Sequence, residues 1–197
     1  MPPKFEQVTS FVDVPITDDG VDTPAFLDAA DGLMDLFDLF GSVVFGFVQT
    51  DLRTNITGVR ARYASHTAAS TTLERLVEAE HADRARNATA CLVRLVRGLA
   101  FTCRALQELQ ADDKAELHVC FRRAYDVVLK HHHSFVIRSV VTIAIRAVPR
   151  RADFFMSLAE GGDQEKLRAE MSKWLAALDA IAVRVSAFLA NGGYGRV

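Results

Sequence analysis

The sequence predicts an all-α protein of seven or eight helices, and three observations carry that prediction. Apolar residues recur at three- and four-residue spacing through most of the chain. Alternation of the β type is absent. The periodic stretches are separated by residues that end helices, among them Gly41, Asp112-Asp113, Pro149 and Gly161-Gly162.

Residues 1–22 hold Pro2, Pro3, Pro15 and a DDG turn, and read as an irregular arm ahead of one helical domain spanning 23–197. Thr23-Pro24 offers an N-cap followed by proline at the first helical position. That helix uses Phe26, Leu27, Leu33, Leu36 and Phe37 and breaks near Gly41; a second runs from about Ser42 to Tyr63. SHTAASTT (65–72) is a loop that caps the short helix LERLVEAEH. A long helix follows over roughly 84–109, with Leu92, Leu95, Leu99 and Leu106 as its stripe. After Asp113 a helix extends to about Lys130, and another runs from the histidines to Val148, stopped by Pro149. ADFFMSLA gives a short helix and 163–190 the last long one.

Half of the 197 residues are hydrophobic, which excludes a disordered chain, and the net charge of −2 argues against a nucleic-acid binder. Arg138, Arg146, Arg150 and Arg151 nevertheless cluster, either as a solvated face or as a surface for anionic lipid or phosphate. Cys91, Cys103 and Cys120 show no CxxC spacing and read as reduced, buried thiols. The start lacks the basic and apolar regions of a signal peptide, and VIRSVVTIAIRAV is interrupted by two arginines, so a cytoplasmic protein is expected.

Three polar groups fall on apolar helical faces. In FGFVQTDLRTNITGVR (45–60), Asp51 and Asn55 share a stripe with Phe37, Phe40 and Val44. His133, placed on a helix, shares a face with Leu129, Val136, Ile137 and Val140. Arg94 stands over Gly98, Phe101 and Ala105, so its guanidinium either reaches solvent or has an anionic partner, for which Asp51 is the candidate. No nucleophile–base pair or Glu-x-x-His pattern is present, and His131-His132-His133 would project in three directions on one helix, so neither catalysis nor a metal is expected. A polar patch beside an apolar interior suits an amphiphile, whose chains leave water at about 0.8 kcal/mol per CH₂.

FGSVVFGFVQTDLRTNITGVRARY, LVRLVRGLAFTCRALQEL and AYDVVLKHHHSFVIRSVVTIAIRAVPRRADFF resemble, in that order, the glycolipid transfer protein family, most closely its fungal branch. The resemblance covers roughly 8–190. It implies eight helices in a two-layer sandwich enclosing a pocket for lipid chains. It also implies carriage of a sphingolipid between membranes without chemistry, cofactor or metal, with transient peripheral docking on a membrane surface.

By this resemblance Asp51 and Asn55 match the pair that hydrogen-bonds the first sugar, and His133 the histidine that contacts the ceramide amide. Family chain-pocket positions match Phe37, Phe40, Val44, Phe45, Val48, Phe101, Leu129, Val141, Ile145 and Phe154. Tyr194 resembles a tyrosine that closes the pocket. Three positions depart: Gly58 stands for a lysine, Arg94 for the tryptophan on which the sugar stacks, and Phe135 for an interfacial tryptophan. The ceramide-1-phosphate branch has arginine where Arg94 lies, and arginine suits phosphate oxygens. The expected ligand is therefore a glycosylceramide, with a phosphate-bearing sphingolipid, such as ceramide-1-phosphate or a phosphoinositol ceramide, as the alternative. A lipid sensor that no longer transfers efficiently is the second alternative. Gly58 inside a helix costs about 1 kcal/mol relative to alanine, which leaving room for a larger head group would explain. The helical angles of Arg60 and Arg97 point away from the site residues, so neither is counted among them.

Overall fold

The computed structural model describes residues 9–37, 43–159 and 162–197. Among them are eight α-helices: α1 (Thr23–Phe37), α2 (Val43–Ser65), α3 (Leu73–Ala82), α4 (Asn87–Ala111), α5 (Leu117–Val128), α6 (Phe135–Arg146), α7 (Arg151–Ala159) and α8 (Gln164–Asn191). The all-α expectation holds. Helix α4 lies at the centre, packed against α2, α5 and α8; α1 packs on α2, and α6 leans on both α2 and α5.

Two glycines let α2 and α4 approach. A Cβ at Gly58 would overlap the Cys91 sulfur, and one at Gly98 would sit 2.6 Å from Leu52 Cδ2. Gly58 thus serves helix packing, not a larger head group. On α8, Leu167, Met171, Trp174, Leu178, Ile181 and Val185 are all buried. That helix is long and apolar enough to cross a bilayer, but these residues lie in the protein core.

The N-terminal segment differs from the irregular arm expected. Where described, it forms a 3-10 turn at Phe11–Asp13 and an antiparallel hairpin of Ile16–Thr17 with Gly20–Val21. The cause is Phe11, 1% exposed, whose ring meets Trp174 edge-on at 5.0 Å and lies 6.2 Å from Phe26. Gly20 takes φ +135°, and a Cβ there would collide with the Glu74 carboxylate. That carboxylate accepts from Val21 N at 2.8 Å and from Arg184 Nε at 2.9 Å, tying the hairpin to α3 and α8.

Caps also fall differently. Asp22, not Thr23, caps α1, its Oδ1 accepting from Ala25 N at 2.9 Å. Thr72 caps α3 as the loop pattern foretold. Helix α4 has no side-chain cap from Arg86. Glu80 on α3 supplies it instead, accepting from Ala88 N (2.8 Å), Thr89 N (2.7 Å) and Thr89 Oγ1 (2.7 Å). Burial pushes this carboxyl up, but the hydroxyl, the two amides and the Arg62 charge outweigh it, leaving it below its ordinary value.

The histidine run is not helical throughout. Lys130–His132 forms a 3-10 turn, His133 is extended, and α6 begins at Phe135 with Ser134 as N-cap. His133 therefore shares no helical face with Leu129 and Val136, and Val136 is 70% exposed. Arg138 pins the turn, its Nε donating to His133 O at 2.9 Å and Lys130 O at 3.0 Å.

Candidate functional site

A cavity of about 300 Å³ opens between α2, α4 and the segment from Leu129 to Val141. Its walls are apolar: Val48 and Leu52 from α2, Phe101 from α4, and Leu129, Ile137 and Val141 from the third side. Gly98 and six polar or charged residues complete it: Asp51, Arg94, Arg97, Thr102, His132 and His133. The volume lies at the lower end of the range for ligand pockets. A more open cleft of about 780 Å³ lies at the hairpin. Most of its lining is charged, and its two cations, Arg184 and Arg75, are already paired with Glu74 and Asp19, so it suits the chains of an amphiphile less well.

Asn55 organises the polar end. It is 2% exposed, and its Nδ2 donates to Asp51 O (2.9 Å) and Asp51 Oδ2 (3.3 Å). Its Oδ1 accepts from Arg94 Nε at 3.0 Å. Because a guanidinium only donates, the oxygen must be the atom facing Arg94. Asn55 itself does not line the cavity; it stands behind Asp51 and Arg94 and fixes both. Arg94 thus pairs with the amide, not with Asp51 as the sequence suggested. Asp51 is exposed rather than interior, which leaves its carboxylate accessible to a ligand.

On the far wall, the Tyr125 hydroxyl lies 3.1 Å from His133 Nδ1. Burial holds this imidazole below its ordinary value, with Arg138 and Arg97 adding to the effect and the Asp51 charge opposing it. The lowered value favours the neutral ring, and in the tautomer that accepts from the Tyr125 hydroxyl at Nδ1, Nε2–H is left to donate to a ligand carbonyl.

Of the chain-pocket residues expected, Val48, Phe101, Leu129 and Val141 line the cavity. Phe37, Ile145 and Phe154 are buried in the core and are not among the cavity's lining residues. Phe40 and the side chains of Val44 and Phe45 lie outside the described residues. Tyr194 does not line the cavity; it stacks on Phe188 at 5.4 Å and meets His81 edge-on at 5.3 Å. The C-terminal segment touches one cavity residue, the Arg196 carbonyl accepting from Arg97 Nε at 2.9 Å.

Arg97 and His132 were missed. Burial and the neighbouring Arg94 push the Arg97 guanidinium down, and His132 Nε2 is buried without a hydrogen-bond partner among the described residues. The signal for Arg97 was its place one turn from Arg94, since so long a side chain reaches well outside its helical angle. Arg60 stays out of the site, bound to Asp28 and Asp31.

An all-α sandwich holding an apolar cavity with hydrogen-bonding groups at one end has the make-up of an amphiphile-binding protein. The family model described as "Glycolipid transfer protein (GLTP)" matches residues 21–160. A glycolipid transfer protein of Aureobasidium melanogenum is 38% identical over 182 residues, covering 92% of this chain and 90% of that one. The chain belongs to the glycolipid transfer protein family. Among solved structures, the fungal glycolipid transfer protein HET-C2 superposes with TM-score 0.90 at 38% identity, over 95% of this chain and 96% of that one. The GLTP-fold of FAPP2, described as selecting simple glycosphingolipids, matches with TM-score 0.90 at 30% identity over 98% of both chains.

Proposed function

We propose that this protein carries a glycosphingolipid between membranes without chemical change, from the cytoplasmic side. The observation that carries the proposal is the chain Asp51–Asn55–Arg94 at the polar end of an apolar cavity, opposite His133. Asp51 keeps accepting capacity for sugar hydroxyls or the ceramide N–H, and charge-assisted bonds of this kind are about twice as strong as neutral ones. His133 supplies a donor for the amide carbonyl. Arg94 offers a planar face and its remaining N–H groups to the sugar, in place of a stacking ring. Kinship with proteins named for glycolipid transfer supports the sugar assignment.

Docking falls to the exposed face of α6, where Phe135 is 84%, Val136 70% and Ile143 58% exposed. Large apolar side chains this open to water suit insertion at a membrane surface.

The second reading, a phosphate-bearing sphingolipid, rests on the two guanidiniums, Arg94 and Arg97, that both face the cavity. Vesicle-to-vesicle transfer of labelled glucosylceramide and ceramide-1-phosphate, run side by side, separates the two. Glucosylceramide is expected to move and ceramide-1-phosphate to lag at least tenfold behind. Transfer of the phosphate lipid alone would overturn the sugar assignment. Binding of either lipid without transfer would replace the carrier with a sensor.

A further inference from the structure

Four arginines cluster between 138 and 151, and the structure divides them by employment. Arg138 is spent on the His133 and Lys130 carbonyls. Arg151 is spent on Asp113 at 3.2 Å and on the carbonyls of Asp112 and Ala115. Arg146 and Arg150 make no side-chain hydrogen bond or ion pair among the described residues, and both are exposed. They border one open cleft of about 510 Å³ with His118, Val148 and Pro149, at the junction of α5, α6 and α7. The single carboxylate there, Glu116, already accepts from Arg151 N at 3.0 Å. Two guanidiniums against one engaged carboxylate leave the cleft net positive. Arg122, exposed and one turn beyond His118 on α5, extends the basic surface and likewise has no ion pair among the described residues.

The cleft is not isolated. On α6, Phe135, Val136, Ile143 and Arg146 fall within about 100° of one another around the axis, so the exposed apolar residues and the free guanidinium share one face. An apolar stripe ending in unpaired arginines is complementary to a bilayer whose lipids carry phosphate anions. We propose that the Arg146–Arg150 cleft is a second lipid site, which grips the anionic head group of a membrane phospholipid while Phe135 and Val136 enter the interface. It is separate from the transfer cavity and selects the membrane visited rather than the cargo carried. The proposal rests on the docking role given to α6 and not on the identity of the cargo.

The charge argument sets the size of the effect. Each basic residue at an anionic surface is worth about fivefold in partitioning, so two together give about twenty-five-fold. The test is co-sedimentation of the full chain with vesicles of phosphatidylcholine alone and with one-fifth phosphatidic acid, at 50 and 300 mM salt, for the parent, Arg146→Ser/Arg150→Ser and Phe135→Ser. The parent is expected to prefer the anionic vesicles by at least tenfold at low salt, and the double variant to lose that preference while still binding phosphatidylcholine. Phe135→Ser should weaken binding to both vesicles. Free inorganic phosphate at 10 mM, with ionic strength held constant, should leave vesicle binding unchanged if the cleft reads a membrane; full competition would mean a free-phosphate site and overturn the proposal. Equal anionic preference in parent and double variant would also overturn it. Glucosylceramide transfer between phosphatidylcholine vesicles, measured on the same double variant, should be unchanged, so failure here is distinguishable from failure of the cavity assignment.

Discussion

Replacing Asp51 with valine should cut glucosylceramide transfer by about a hundredfold while leaving the thermal unfolding midpoint within about 2 °C. A charge-assisted hydrogen bond lost to a partly desolvated ligand is worth about 1.5–3 kcal/mol, and 2.7 kcal/mol corresponds to a hundredfold. The fold should tolerate the change because Asp51 is exposed and makes no ion pair among the described residues. Asn55 loses its contact with Oδ2 but keeps the Asp51 carbonyl at 2.9 Å and Arg94 at 3.0 Å. Vesicle transfer and thermal denaturation on the same preparation decide the matter. Unchanged transfer would remove Asp51 from the head-group site. Asp51→Asn is the finer probe, since it keeps the acceptor and removes the charge that holds the His133 imidazole up.

The second large effect concerns stability. Glu80→Ala removes three hydrogen bonds at the start of α4, the helix that carries Arg94, Arg97 and Phe101. Leaving these buried donors unpaired costs about 3 kcal/mol, which for a chain of this size lowers the midpoint by about 9 °C. The pH dependence follows from the same bonds. The folded carboxyl lies below its ordinary value of 4.5, so the unfolded chain takes up its proton first as pH falls. The Glu80 contribution is full above about pH 4.5 and is lost as pH drops through the lower, folded value. Glu80→Ala should therefore lie well below the parent at neutral pH and converge on it below that window. A constant difference across the acid range would assign the loss to packing instead of charge.

Periodicity made the helices legible because burial at three- and four-residue spacing leaves a mark in sequence that caps and turns only punctuate. Asn55 was expected on an interior face and is buried for that reason. Asp51 follows the same stripe yet is exposed, since a helical angle does not say how far the neighbouring layer extends to cover it. The break after Lys130 is legible, but α6 starts later than the histidines, which carry neither proline nor glycine to mark the turn; Ser134 ahead of an apolar run is the cap signal that places its start. Glu80 capping α4 from α3, and Phe11 drawing the N-terminal segment onto Trp174, are tertiary events with no local trace. Arg97 was set aside on its angle alone, although a guanidinium on a flexible stem covers much of the turn around it.

The burial of Trp174 has a spectroscopic consequence. It is the sole tryptophan of the chain, 1% exposed and packed edge-on against Phe11, and it lines neither the cavity nor the α6 face. Intrinsic fluorescence should therefore be blue-shifted, report on the seating of the N-terminal segment, and stay silent when vesicles or lipid are added. Phe135→Trp would install a second indole where the ring is 84% exposed. Its emission should start near that of free tryptophan and move to shorter wavelength on vesicles, giving a docking signal against a constant internal reference.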